Sequence, residues 1–150
     1  MAAVLLVAHA PLASTLLAVA RHVYPECGVG LAAVDIGPDT EPDDAQAQIR
    51  AALGALGSAE VLMLADVFGA SPCNAALAAA SGARARVVTG VNVPMLWRAL
   101  CYAAKEPLDE LVERAVDGGV QGVMQVGASR PQNQGPRPAS DDQDPNSRQQ

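Results

Sequence analysis

Aromatic side chains make up only 3% of this 150-residue chain: one Phe, one Trp and two Tyr. A core with so few rings closes instead on small and branched side chains, as layered α/β architectures allow. Basic residues are also scarce, with ten Lys and Arg against sixteen Asp and Glu and a net charge of −6. The ten are scattered, whereas neutralising a phosphate backbone needs them clustered, so nucleic acid is excluded as a partner. Cysteine appears three times, at Cys27, Cys73 and Cys101, and never as C-x-x-C. An odd count without a signal peptide predicts reduced thiols and a cytoplasmic location. The apolar run from Ala2 to Ala8 lacks a basic leader and is interrupted by His9. No window approaches 18 uninterrupted apolar residues, so no membrane span is expected. Neither G-x-G-x-x-G nor G-x-x-x-x-G-K-[ST] occurs, and no His/Cys/Asp cluster has metal-ligand spacing. No metal or other cofactor is therefore expected, and any phosphate handled here comes from a protein or small-molecule donor rather than from ATP.

What the chain does contain is an alternation. Val4-Leu5-Leu6-Val7-Ala8 runs without a break into His9, with Pro11 two places beyond. A continuous branched apolar run reads as a strand buried on both faces, and Pro suits the first turn of a following helix. Leu12, Leu16, Leu17, Val19 and Val23 then keep helical spacing, predicting a helix over roughly 11–22. Val29 to Ile36 predicts a second strand. Glu41-Pro42-Asp43-Asp44 opens a second helix that stops at Gly57, its carboxylates placed where the dipole favours them. A third strand is expected over 59–66, a helix over 72–80, a fourth strand over 85–91, a helix through Met95 to Tyr102, and a fifth helix from Pro107 to Gly118-Gly119. Residues 122–126 predict a short last strand with nothing after it to pack on, a candidate for edge pairing with another subunit. From Ser129 the chain is polar and rich in Pro, Gln, Asn and Asp, which predicts a disordered tail over 129–150 after a single domain over 1–128. The expected fold is α/β: a doubly wound, mostly parallel sheet flanked by helices, with a short C-terminal edge strand.

Three polar junctions, at His9, at Asp66 to Ser71 and at Asn92, fall at the carboxyl ends of strands, the edge where open α/β sheets bind ligands. A neutral imidazole whose one N–H is held by a carboxylate offers its other nitrogen for attack. Paired with Asp66, His9 thus suits the receipt of a phosphoryl group. Its oxygens need donors, and the first-turn N–H groups after His9, at Ala10 and Leu12, and the Ser71 hydroxyl are the candidates. Each feature alone has a plainer explanation: a core or incidental His, an Asp that caps a turn, and Ser71-Pro72 as an ordinary helix start with Ser as the cap. His22 reads as a solvent-facing residue of the last turn and Cys73 as a buried thiol. A hydrolase built on Ser71 and His9 is disfavoured, because Ser71 lies outside a G-x-S-x-G elbow.

Val7-Ala8-His9, Asp66-Val67-Phe68-Gly69-Ala70-Ser71-Pro72-Cys73-Asn74 and Gly90-Val91-Asn92-Val93-Pro94-Met95-Leu96 together resemble the enzyme IIA component of the mannose family of the bacterial sugar phosphotransferase system, in matching order over roughly residues 3–128. The resemblance implies that His9 accepts a phosphoryl group from the phosphocarrier HPr at its far nitrogen and passes it to an enzyme IIB partner. It implies that Asp66 holds the near nitrogen and that Ser71 belongs to the phosphate pocket. It also implies a homodimer that exchanges its last strand, and attachment to the membrane only through a permease complex. The chain departs from the pattern at Ala10-Pro11, where the family usually has Gly after the histidine, and at Ala70, where the loop has a second Gly. Two further readings stay open from sequence: a regulatory sensor of phosphorylation state without sugar transport, and the phosphotransfer subunit of a dihydroxyacetone kinase.

Overall fold

The computed structural model describes residues 1–127; the expected polar tail over 129–150 lies outside them. Nine elements alternate along the chain: β1 (Ala3–His9), α1 (Leu12–Val23), β2 (Leu31–Ile36), α2 (Pro42–Leu56), β3 (Val61–Ala65), α3 (Ser71–Ala80), β4 (Ala85–Val88), α4 (Val93–Tyr102) and α5 (Leu108–Gln121). The strands form one parallel sheet in the order β2-β1-β3-β4. The uninterrupted apolar runs are explained by this order. β1 and β3 lie inside the sheet with helices on both faces, and residues 3–8 and 61–65 are buried on both sides of the pleat.

Side-chain alternation divides the core in two. Val4, Leu6 and Ala8 of β1 pack with Ala13, Leu16 and Ala20 of α1, with Leu96 and Ala99 of α4 and with Leu111 of α5. Ala3, Leu5 and Val7 pack on the other face with Ala45 and Ile49 of α2 and Ala75 and Ala76 of α3. The chain leaves β1 for β2 on one side, then crosses back over β1 to reach β3. The segments after β1 and β3 therefore depart toward opposite faces, leaving a crevice at the carboxyl ends of these two strands, the switch point of a doubly wound sheet.

The structure differs from the sequence-based expectations in several places. Gly118-Gly119 does not end the fifth helix, which continues to Gln121. The reason is tertiary. A Cβ on Gly118 would lie 2.6 Å from Arg98 Cβ, one on Gly119 2.7 Å from Met95 Cε, and one on Gly122 2.4 Å from Pro94 Cγ. These glycines let α5 lie directly on α4, and Asn92 ties the two by accepting from the Met95 N–H and donating to the Gly119 carbonyl at 3.0 Å. No fifth strand forms within the described residues: 123–126 follow α5 as irregular chain, with Val123, Met124 and Val126 exposed. Among the described residues the segment pairs with neither open edge of the sheet, β2 or β4. β4 stops at Val88 rather than Val91, and the N–H groups of Gly90 and Val91 instead bond the Asp66 and Ala65 carbonyls. Pro11 is the residue before α1 rather than its first residue. The N-cap of α3 is Ala70, not Ser71, which is the first helical residue and makes no cap bond.

No helix among the described residues is long and apolar enough to cross a membrane. Cys27 is half-buried, Cys73 buried and Cys101 exposed, and all three are free thiols. His22 is exposed in the last turn of α1.

Candidate functional site

His9 and Asp66 meet at the switch point. β1 pairs with β3 in a register that sets Val7 beside Ala65, so the next residues, Ala8 and Asp66, are neighbours, and His9 stands one step further along. Asp66 Oδ2 accepts the His9 backbone N–H at 3.0 Å and lies 2.6 Å from His9 Nδ1. Its other oxygen accepts the Val67 N–H at 2.9 Å. Burial alone pushes this carboxyl up. The backbone and ring donors of His9 and the N–H of Val67 outweigh it and hold the group below its ordinary value. An ionised carboxylate at bonding distance places the ring proton on Nδ1, leaving the Nε2 lone pair free. The His9 side chain is 53% exposed while that of Asp66 is 11% exposed, so the carboxylate is sheltered and the imidazole is presented.

The shift carries a pH consequence. A carboxyl whose folded-state value is depressed contributes stability above its unfolded value, near 3.9, and loses it as pH falls through the folded value. Denaturant titrations at successive pH values should therefore show wild-type stability falling below about pH 4 more steeply than that of Asp66→Asn. Equal slopes would show that the hydrogen bonds do not favour the ionised form.

The expected phosphate donors are distributed unevenly. The Ala10 N–H already donates to the Ile36 carbonyl at 3.0 Å, so it is committed within the sheet. The Leu12 N–H, first of α1, lies outside the helix's own ladder. Ser71 is exposed at the start of α3, on the rim of a cleft of about 230 Å³ that it shares with Thr40, Asp43, Gln46 and Asn74. The pleat directs His9 to the side of Ala3, Leu5 and Val7, which is the α2–α3 face to which Ser71 belongs.

Sequence reasoning missed two neighbours. Asp35, near the end of β2, accepts the Ser14 N–H of α1 at 3.0 Å through Oδ1. Its signal was present, a lone carboxylate in an apolar strand, but its partner is a backbone group that no side-chain pattern reveals. Phe68, two residues after Asp66, is 79% exposed, and Val67 beside it is also exposed. No group of three or more His, Cys, Asp or Glu side chains able to hold a metal ion occurs among the described residues.

The sequence model of the family described as "PTS system fructose IIA component" (EIIA-man) matches residues 3–116, about three quarters of the chain and everything that builds the His9–Asp66 crevice. The chain belongs to this family. It is 39% identical over 82 residues to the mannose-specific EIIAB component of Escherichia coli (strain K12). That stretch is 53% of this chain and 25% of the relative, so the match spans about a quarter of the curated protein's length. Among solved structures, the mannose/sorbose-specific IIA subunit of the phosphotransferase system from Enterococcus faecalis superposes with a TM-score of 0.72 at 28% identity, over 85% of this chain and 96% of that one. The phosphotransferase system component EIIA from Streptococcus agalactiae gives a TM-score of 0.75 over 83% and 97% of the two chains. At 19% identity it supports the fold alone.

Proposed function

We propose that this IIA component carries a phosphoryl group on His9, taking it from phosphorylated HPr and giving it to a IIB partner in carbohydrate uptake. The observation that carries the reading is the 2.6 Å contact between His9 Nδ1 and a sheltered, ionised Asp66, with the opposite edge of the ring open to solvent. In the proposed step Nε2 attacks the phosphorus of the donor phosphohistidine. A new P–N bond forms as the donor's P–N bond breaks, and the bonding pair returns to the donor ring. The imidazole, still bearing its Nδ1 proton, becomes cationic, and Asp66 balances that charge in place. Transfer to IIB is the same displacement in the opposite sense. Such chemistry asks mainly for positioning and charge stabilisation, and a site of one imidazole and one carboxylate suffices. The Leu12 N–H and the Ser71 hydroxyl are the donors left for the phosphoryl oxygens, while the Ala10 N–H is withdrawn by its bond to Ile36. Exposed Val67 and Phe68 give a protein partner apolar surface beside the ring.

The test is incubation with enzyme I, HPr and phosphoenolpyruvate. One acid-labile phosphoryl group per chain is expected, with none in His9→Ala; label persisting in that variant overturns the assignment.

The family likeness extends the proposal to a homodimer. Exposed Val123, Met124 and Val126 supply a segment able to add to a sheet edge of a second copy. Sedimentation equilibrium at micromolar concentration should give twice the chain mass, and a chain truncated after Gly122 should give the monomer. A full-length monomer at those concentrations counts against the exchange.

A further inference from the structure

We propose that Asp35 is a positioning residue of the phosphoryl site, whose charge holds phospho-His9 in a readily discharged state. This deepens the phosphoryl-carrier reading and rests on it.

The geometry is as follows. β2 pairs with β1 so that Asp35 lies beside Ala8 and Ile36 beside His9. Ordinary strand spacing then sets the Asp35 and His9 Cα atoms roughly 6 Å apart, with Asp35 on the α1 side of the pleat and His9 on the α2–α3 side, both at the carboxyl rim of the sheet. Asp35 Oδ1 accepts the Ser14 N–H, third of the first turn of α1, and the Ile36 carbonyl accepts the Ala10 N–H. The two-residue connector between His9 and α1 is thus tied at both ends to the end of β2. Asp35 does more than tether, because it brings a half-buried formal charge to the edge where a phosphoryl dianion forms.

Near the site in sequence the chain is poor in positive charge. Residues 9–20, 35–49 and 65–83 contain no Lys or Arg, whereas Asp35, Asp39, Glu41, Asp43, Asp44 and Asp66 all fall within them. The arginine ion pairs among the described residues, Arg84–Glu60, Arg86–Asp109 and Arg114–Glu106, involve the other end of the strands and α5. Of the carboxylates, Asp66 stabilises the cationic ring by direct contact. Asp35 touches a backbone amide instead, so its effect on the phosphorylated ring is repulsion through space. Removing the charge while keeping the acceptor should therefore stabilise phospho-His9. A merely structural role predicts the opposite, since disturbing the connector lowers labelling.

The experiment uses the full chain and phosphoramidate, a small-molecule donor that acts without HPr. Wild type, Asp35→Asn and Asp35→Ala are phosphorylated, freed of donor, and followed by ³¹P NMR at neutral pH. The phosphohistidine of Asp35→Asn should outlive that of wild type by roughly three- to tenfold. Asp35→Ala, which removes the acceptor of the Ser14 N–H as well, should not outlast Asp35→Asn; if Asp35→Asn fails to fold by circular dichroism, Asp35→Ser, which keeps an oxygen acceptor without the charge, is judged by the same criterion. A lifetime equal to or shorter than wild type overturns the inference. A wild type labelled by phosphoramidate but never by phospho-HPr refutes the carrier reading instead, and the lifetime comparison still decides the role of Asp35.

Discussion

Asp66→Asn should slow phosphoryl transfer from HPr by roughly 10²- to 10⁴-fold while the protein keeps its circular dichroism spectrum. The amide oxygen, in the place of Oδ1, still accepts the Val67 N–H, whereas the NH₂, in the place of Oδ2, deprives the His9 N–H of its acceptor. Its NH₂, facing Nδ1, donates to the ring, which moves the ring proton to Nε2 and blocks the attacking lone pair. The cationic ring of the product also loses its balancing charge. Quenched-flow transfer from phospho-HPr measures the effect. A rate within a few-fold of wild type would mean that Asp66 serves only to cap the turn through the Val67 N–H.

Gly118→Val carries the largest expected effect on stability. The new Cβ meets Arg98 Cβ at 2.6 Å and the Pro94 carbonyl oxygen at 3.3 Å, atoms anchored in α4 that cannot swing aside. The two helices must separate, opening the contacts around Leu96, Ala99 and Leu111. Such overpacking costs on the order of 3 kcal/mol, enough to lower the melting midpoint by roughly 10 °C. Val120→Ala on the same helix, where the side chain is 70% exposed, should stay within about 0.5 kcal/mol of wild type. If both variants melt with wild type, α5 does not depend on the close approach at Gly118.

The strands were legible because burial on both faces leaves an unmistakable record: residues 3–8 and 61–65 admit nothing polar, and both runs end at the residues that meet in the crevice. Topology followed from the short connections, and with it the edge on which His9 and Asp66 had to lie. The misread positions share a cause, which is information held by distant partners. Gly118-Gly119 has the local form of a helix stop, but the demand for glycine comes from α4, some twenty residues earlier. Residues 122–126 have strand composition, yet α5 runs on to Gln121 and the segment after it pairs with neither open edge of the sheet, β2 or β4. Ala10 looked like a free donor because the Ile36 carbonyl that occupies it belongs to another strand. Asp35 was passed over for the same reason, since its partner is a main-chain amide in α1.

The two strands that end in the crevice send their chains off in opposite directions, one beneath the sheet and one above it. Evolution can therefore lengthen or recolour either exit separately, altering which proteins are greeted at the rim, while the ring and the acid beneath it stay where the central strands fix them. Choice of partner and competence for chemistry are, in this architecture, separately inherited traits.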